Sequence, residues 1–446
     1  MPDILALLQC LLPQINATTM RQLNQIIQAM LAMSGRVTML GISRWAGTGG
    51  SYRTMLRFFH TVIPWATLFW LFFRKHLFCA NEVYLLAGDE VVISKSGKQT
   101  YGLDRFFSSL ASKPISGLSF FTLSLVSLEK RHSFPIQIEQ VIKSDEEKSI
   151  SSPTREVKPK DKRKRGRPKG SKNKNKAEVI LTSELLRIQK MINSLFKLLD
   201  GFIPLTYLVL DGHFGNNNTL QMARQVNLHI ISKLRYDSAL YIPYQNPDSN
   251  SRSRRKYGDK LDYCNIPNKY LCKSTIEDEI QTDIYKATLL HKEFAQALNI
   301  VILVKTNLKT NARSYVILFS SDLDLSYEKI IDYYKLRFQI EFNFRDAKQF
   351  WGLEVFMNLS QTAVTNAANL AFFMVNLSHY LLADFRLLNH DSGIIDLKAH
   401  YRGFRYVREI LKMLPEMPEP ILLTQIFAKL TSLGRIHTVS TGVEPS

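Results

Sequence analysis

The chain of 446 residues is long enough for two to four domains, and 45% apolar with 11% aromatic residues supply a sizeable core. Lys plus Arg exceeds Asp plus Glu by 58 − 39 = 19, which favours a polyanionic partner, either nucleic acid or an anionic membrane surface. The most apolar stretch, 61–73, contains Pro64 and is shorter than the roughly 20 residues of a membrane span, and Cys10, Cys79, Cys264 and Cys272 are too scattered for a disulfide framework or zinc finger.

In chain order, residues 1–80 read as a helical domain. MRQLNQIIQAMLAM and TMLGISRWAG are followed by a glycine turn at 47–50 and by SYRTMLRFFH, a helix-turn-helix outline suited to DNA. The last helix presents Ser51, Tyr52, Arg53 and Arg57 to a groove while Met55, Leu56 and Phe59 pack inward. A helical hairpin with no DNA role carries the same pattern. Residues 81–143 contain VYLLAGDEVVIS, LSFFTLSLVSL and FPIQIEQVI, three strands of an antiparallel meander and the first part of a sheet core. Residues 144–180 predict a disordered basic linker, in which 155–176 hold twelve Lys and Arg against Glu156 and Asp161. That tract carries 12 − 2 = 10 of the 19 surplus charges, so the basic bias extends beyond it.

Residues 181–235 continue the core with a helix, LTSELLRIQKMINSLFKLLD, then the strand LTYLVLD, the helix NTLQMARQVN and the strand LHIISKL. Residues 236–319 read as a β-rich insertion ending in NIVILVKT and SYVILFSS. Residues 320–390 complete the core with one long helix over 327–351 and a buried one, TAVTNAANLAFFMVNLSHYLLADF. Residues 391–446 form a C-terminal helical region and tail.

Cutting a phosphodiester with two metal ions requires carboxylates that converge from separate elements, because hard cations prefer oxygen ligands. Asp89 interrupts an apolar strand, where a carboxylate is costly unless a cation or donor meets it. Its neighbour Glu90 must point to the other face. Asp211 ends a strand, although Asp-Gly also simply terminates strands. On the helix that follows, Tyr334, Arg337, Glu341 and Lys348 fall within an arc of roughly 60°, with Asp346 well outside it. A solvated face with i,i+4 ion pairing is the bland alternative, but Phe338, Ile340, Phe342 and Phe344 argue for burial.

The run Tyr334-x2-Arg337-x3-Glu341-x6-Lys348 resembles the Y-R-E-K signature of DDE transposases of the IS-four-type insertion sequences. AGDEVVISKSGKQTYGLDRF and LVLDGHFGN are similar to that group's two aspartate motifs, so the resemblance spans about residues 40–385. It implies an α/β fold: an RNase H-like mixed sheet flanked by helices, with a β-rich insertion and an N-terminal helical DNA-binding domain. It also implies Asp89, Asp211 and Glu341 as catalytic metal ligands for two Mg²⁺ ions, with Mn²⁺ as a substitute. Tyr334, Arg337 and Lys348 then contact phosphates of the transposon ends. The expected partner is double-stranded DNA, both element ends and target, engaged by a homodimer in a synaptic complex. No secretory leader is read at the N-terminus, so a cytoplasmic, nucleoid-associated protein of a prokaryote is expected.

Within the basic tract, Lys164-Arg165-Gly166-Arg167-Pro168-Lys169-Gly170 resembles an AT-hook, whose Arg165 and Arg167 enter an A·T minor groove. Sequence-independent phosphate binding and a localisation signal fit the same residues. Two functional alternatives also stand: a catalytically inactive DNA-binding remnant or regulator, and an RNase H-like nuclease that hydrolyses without joining.

Overall fold

Strands rich in β-branched and aromatic residues assemble one large mixed sheet, and the order in which the chain visits it places the acidic residues. The computed structural model describes residues 3–108, 111–143, 175–244, 255–387 and 389–437. The AT-hook-like segment with Arg165 and Arg167 lies outside these residues.

The first four strands are β1 (Tyr84–Ser94), β2 (Asp104–Ser108), β3 (Lys113–Ser127) and β4 (Ser133–Val141). β3 runs antiparallel to β1 from Tyr84↔Ser127 to Ser94↔Gly117, and its other edge carries β2 and β4, also antiparallel. The short β2 was not expected from the sequence. β5 (Tyr207–Val209) lies parallel to β1, and β6 (His229–Leu234) lies parallel to β5. Six further strands follow: β7 (Leu240–Pro243), β8 (Tyr257–Lys260), β9 (Leu271–Glu277), β10 (Ile280–His291), β11 (Ala297–Asn307) and β12 (Arg313–Ser320). The β-rich segment extends the same sheet, because β12 pairs with β6 from Ile317↔Leu234 to Ser320↔Ile231.

Helices cover the sheet and pack on one another. The N-terminal set is α1 (Ile4–Leu8), α2 (Ala17–Ala32), α3 (Met39–Trp45), α4 (Tyr52–His60) and α5 (Trp65–Phe72). α6 (Ser183–Leu199) and α7 (Asn217–Gln225) serve the parallel crossovers around β5, which need a connecting helix. After the sheet come α8 (Tyr327–Leu336), α9 (Gln339–Gln349), α10 (Gln361–Arg386), α11 (Ile394–Leu411) and α12 (Pro420–Ser432). Among the described residues no single helix is long and apolar enough to cross a membrane.

One apolar core runs from Ile4 to Leu397, so the N-terminal helices are packed into the body of the molecule. Asn366, a polar residue 1% exposed in the second turn of α10, explains part of the attachment. Its Nδ2 donates to the carbonyls of Phe59 and Thr61, both at 2.8 Å, and its Oδ1 accepts from Trp65 Nε1 at 2.8 Å. The amide thereby satisfies backbone groups freed at the end of α4.

Two expectations need correction. In α4 the inward residues are Met55, Phe58 and Phe59, while Leu56 is 36% exposed. Spacings of three and four residues share a face, and Leu56 lies about 100° round from Met55. The helix expected over 327–351 is two helices. At the junction, Phe338 N–H donates to Lys335, Ile340 to Arg337 and Glu341 to Phe338 at 3.0–3.1 Å, so i→i−3 bonds replace the α-helical ladder. This tightening separates α8 from α9 at Arg337 and Phe338.

Candidate active site

Parallel pairing of β1 with β5 matches Leu86 to Leu208 and Ala87 to Val209. Two residues further on, the same register sets Asp89 beside Asp211 and on the same face, since side chains alternate with period two. Asp89 sits within β1, where β3 still pairs with it through Thr122, whereas Asp211 lies just past the end of β5. The approach is close: a Cβ on Gly88 would stand 2.8 Å from Phe121 Cζ and 2.9 Å from Leu210 Cδ2. Asp211 is fixed by its own turn, its carboxylate accepting from His213 N–H at 3.2 Å and its carbonyl from Ser232 Oγ at 2.6 Å.

The break between α8 and α9 delivers the third group. Arg337 Nη1 donates to Asp89 Oδ2, and its Nη2 reaches Glu341 Oε1 at 3.4 Å. The pair is largely buried, with side-chain exposures of 13% for Arg337 and 18% for Asp89, while Glu341 is 42% exposed. Burial pushes the Asp89 carboxyl up to about 6, against the pull of Arg337, and the nearby charges of Asp211 and Glu341 add to the rise. Burial likewise opposes the charge on Arg337, but Asp89, Tyr334, Glu341 and Asp211 more than offset it. Tyr334 lies against the same guanidinium, 5.9 Å from its ring centre. Arg337 therefore bonds two carboxylates far apart in sequence, and Asp211 stands beside the first of them.

Of the remaining predicted residues, Lys348 is turned to the neighbouring backbone. Its Nζ donates to Val92 O at 3.0 Å, and burial lowers its pKa. Arg53 and Arg57 are exposed on α4, as a groove-facing role requires. Glu90 points away from Asp89 and accepts from Ser119 Oγ. Sequence reading did not single out His213, which stands 3.4 Å from Glu184 and borders an open cleft of about 800 Å³ between α6 and the turn after Asp211. The signal was local, since His213 falls in the same LDGHF run as Asp211.

The donors, carboxylate oxygens without thiol or imidazole between them, suit a hard divalent cation such as Mg²⁺. Their placement does not yet make a metal cage: among the described residues no three His, Cys, Asp or Glu side chains are gathered closely enough to hold an ion. The space among them is served by the Arg337 guanidinium.

A family profile described as DDE superfamily endonuclease matches residues 10–296, more than half of the chain, and the chain belongs to that family. The matched region contains Asp89 and Asp211 and ends before the helix of Glu341. No curated protein matches the chain.

Proposed function

We propose that this endonuclease-family chain is a DNA transposase of the IS-four type, using Asp89, Asp211 and Glu341 to nick element ends and join the freed 3′-hydroxyl to another strand. The observation that supports this reading is that parallel pairing of β1 and β5 sets Asp89 beside Asp211, while Arg337 bonds both Asp89 and Glu341. A mixed sheet flanked by helices agrees with the RNase H-like core that the resemblance implies.

In this reading Asp89, Asp211 and Glu341 would hold two Mg²⁺ ions, with Mn²⁺ as substitute, which would supply Lewis-acid polarisation of the phosphate and lower the pKa of the attacking water. Asp89 would be the ligand fixed within β1, with Asp211 at its strand end and the half-exposed Glu341 as the other two. Arg337 exchanges Asp89 for a DNA phosphate, a bidentate fit that guanidinium makes well. Tyr334 and Lys348 flank that phosphate. Arg53 and Arg57 on α4, with Arg165 and Arg167 of the basic tract, bind double-stranded terminal repeats, and two copies pair the ends.

One observation favours a second reading, a DNA-binding remnant without cleavage: Arg337 neutralises the carboxylates where metal ions are needed, and no cage is preassembled among the described residues. A labelled duplex carrying the inverted repeats that flank the gene separates the two. Nicking and strand transfer with Mg²⁺, absent in Asp211→Ala, are expected of the transposase. Tight binding with no nicking in either divalent ion supports the remnant.

A further inference from the structure

A second cavity, of about 690 Å³, lies on the side of α9 that carries Asn343 and Asp346, closed by α10 and by the start of α11. Its polar lining is unevenly matched. Asn343 is 2% exposed, yet among the described residues its Nδ2 has no hydrogen-bond partner, and neither has the buried Nε2 of His379. Leaving such atoms unpaired costs about 1–3 kcal/mol each unless something fills the space.

The acidic groups of this cavity are already taken. Asp346 accepts from Arg345 at 2.9 Å, and Asp396 accepts from the N–H groups of Gly393 and Ile436 and from the His437 ring at 2.9, 2.6 and 2.9 Å. Arg386 is placed differently: its Nε donates to the Ser392 carbonyl at 2.7 Å, and the rest of its five-donor fork meets no partner among the described residues.

We propose that this cavity is an anion site for a phosphate group, with Arg386 as its cation and Asn343 Nδ2 and His379 Nε2 as hydrogen-bond donors. Burial above all, and then the neighbouring His132 and Arg386, push His379 down to about 3, so its imidazole is neutral. A neutral His379 protonated on Nε2 donates to an oxyanion without titrating. Phe342 and Leu382 add an apolar wall that a sugar or base attached to the phosphate can cover. The site is independent of the carboxylate reading, and it requires no metal.

The test uses the full chain and calorimetric titration with inorganic phosphate, a nucleoside monophosphate and a short DNA duplex. Phosphate binding is expected, weakened about tenfold or more by Arg386→Gln and by Asn343→Leu, and partly restored by Arg386→Lys. Circular dichroism and urea midpoints confirm that each variant is folded. If the duplex displaces phosphate and its salt slope falls by about one in Arg386→Gln, the phosphate belongs to nucleic acid. If the monophosphate binds more tightly than phosphate and the duplex does not compete, the site takes a free nucleotide. Absence of binding at millimolar phosphate, or equal binding in Arg386→Gln and the parent, overturns the proposal.

Discussion

Arg337 donates to Asp89 across 248 residues of chain, joining the break between two helices to the middle of the first strand. Both side chains are mostly shielded from water, so each is the main reason the other stays charged. Removing one partner leaves an uncompensated buried charge, which generally costs more than the intact pair contributes. Arg337→Met is expected to destabilise the fold by about 3 kcal/mol, and adding Asp89→Asn to recover much of that loss. Urea midpoints for the parent, both single variants and the double variant measure the coupling. Strictly additive losses would mean that the two groups do not hold one another.

Gly88 is required by the same strand pair. An added methyl meets the ring of Phe121 and a methyl of Leu210 at under 3 Å, closer than packed carbons tolerate. Gly88→Ala is expected to cost about 1–3 kcal/mol, and Phe121→Leu in the same chain to return part of it. Thermal unfolding of the two variants decides this, with no change in Gly88→Ala as the contrary outcome.

Strand and helix identities could be read from periodicity, because VYLLAGDEVVIS and the apolar run of α10 are long and locally consistent. Register could not. The pairing of Ala87 with Val209 depends on a parallel crossover, and only that register puts Asp89 next to Asp211. The attachment of β12 to β6 is equally non-local, so the strands of 236–319 could be read from the sequence but not where they join the sheet. The break at Arg337 and Phe338 carries no proline or glycine to announce it. Tyr334, Arg337 and Glu341 remain neighbours across it, whereas Lys348 is drawn to the Val92 carbonyl.

Acid should destabilise the protein through His379. Burial lowers its pKa to about 3, so the fold keeps it neutral, while an unfolded histidine titrates near 6.5. Between those values the unfolded chain binds more protons, and stability falls as pH is lowered, by up to about 1.4 kcal/mol per pH unit from this one group. The contribution is complete above pH 6.5. Urea midpoints from pH 7 to pH 5 are expected to drop less steeply in His379→Phe than in the parent, and parallel slopes would show that the imidazole is freely protonated.

Asp89 and Glu90 are adjacent acids with different surroundings, which makes them an internal control for catalysis. Asp89 faces Arg337 and Asp211, while Glu90 is engaged by Ser119 on the other side of β1. Asp89→Asn, Asp211→Asn and Glu341→Gln are each expected to reduce Mg²⁺-dependent nicking of terminal-repeat DNA to the level seen with a chelator. Glu90→Gln should keep nicking within a few-fold of the parent. Equal loss in Glu90→Gln would shift the metal site to the opposite face of the strand.

The basic tract poses a choice between shape reading and simple charge. Arg165 and Arg167 flank Gly166, and a flat Arg-Gly-Arg unit gains its specificity from the narrow, strongly negative minor groove of A·T tracts. A phosphate-binding tail instead treats all duplexes alike and weakens with salt in proportion to the contacts made. For a hook, changing Arg165 and Arg167 to Lys preserves charge and still removes the preference for A·T-rich over G·C-rich duplexes, because an ammonium cannot lie flat in the groove. Fluorescence anisotropy of the two duplexes at several salt concentrations measures this. If the Lys variant matches the parent on both duplexes, the tract acts by charge alone, and sequence recognition must come from elsewhere, with the exposed Arg53 and Arg57 of α4 as the next residues to change.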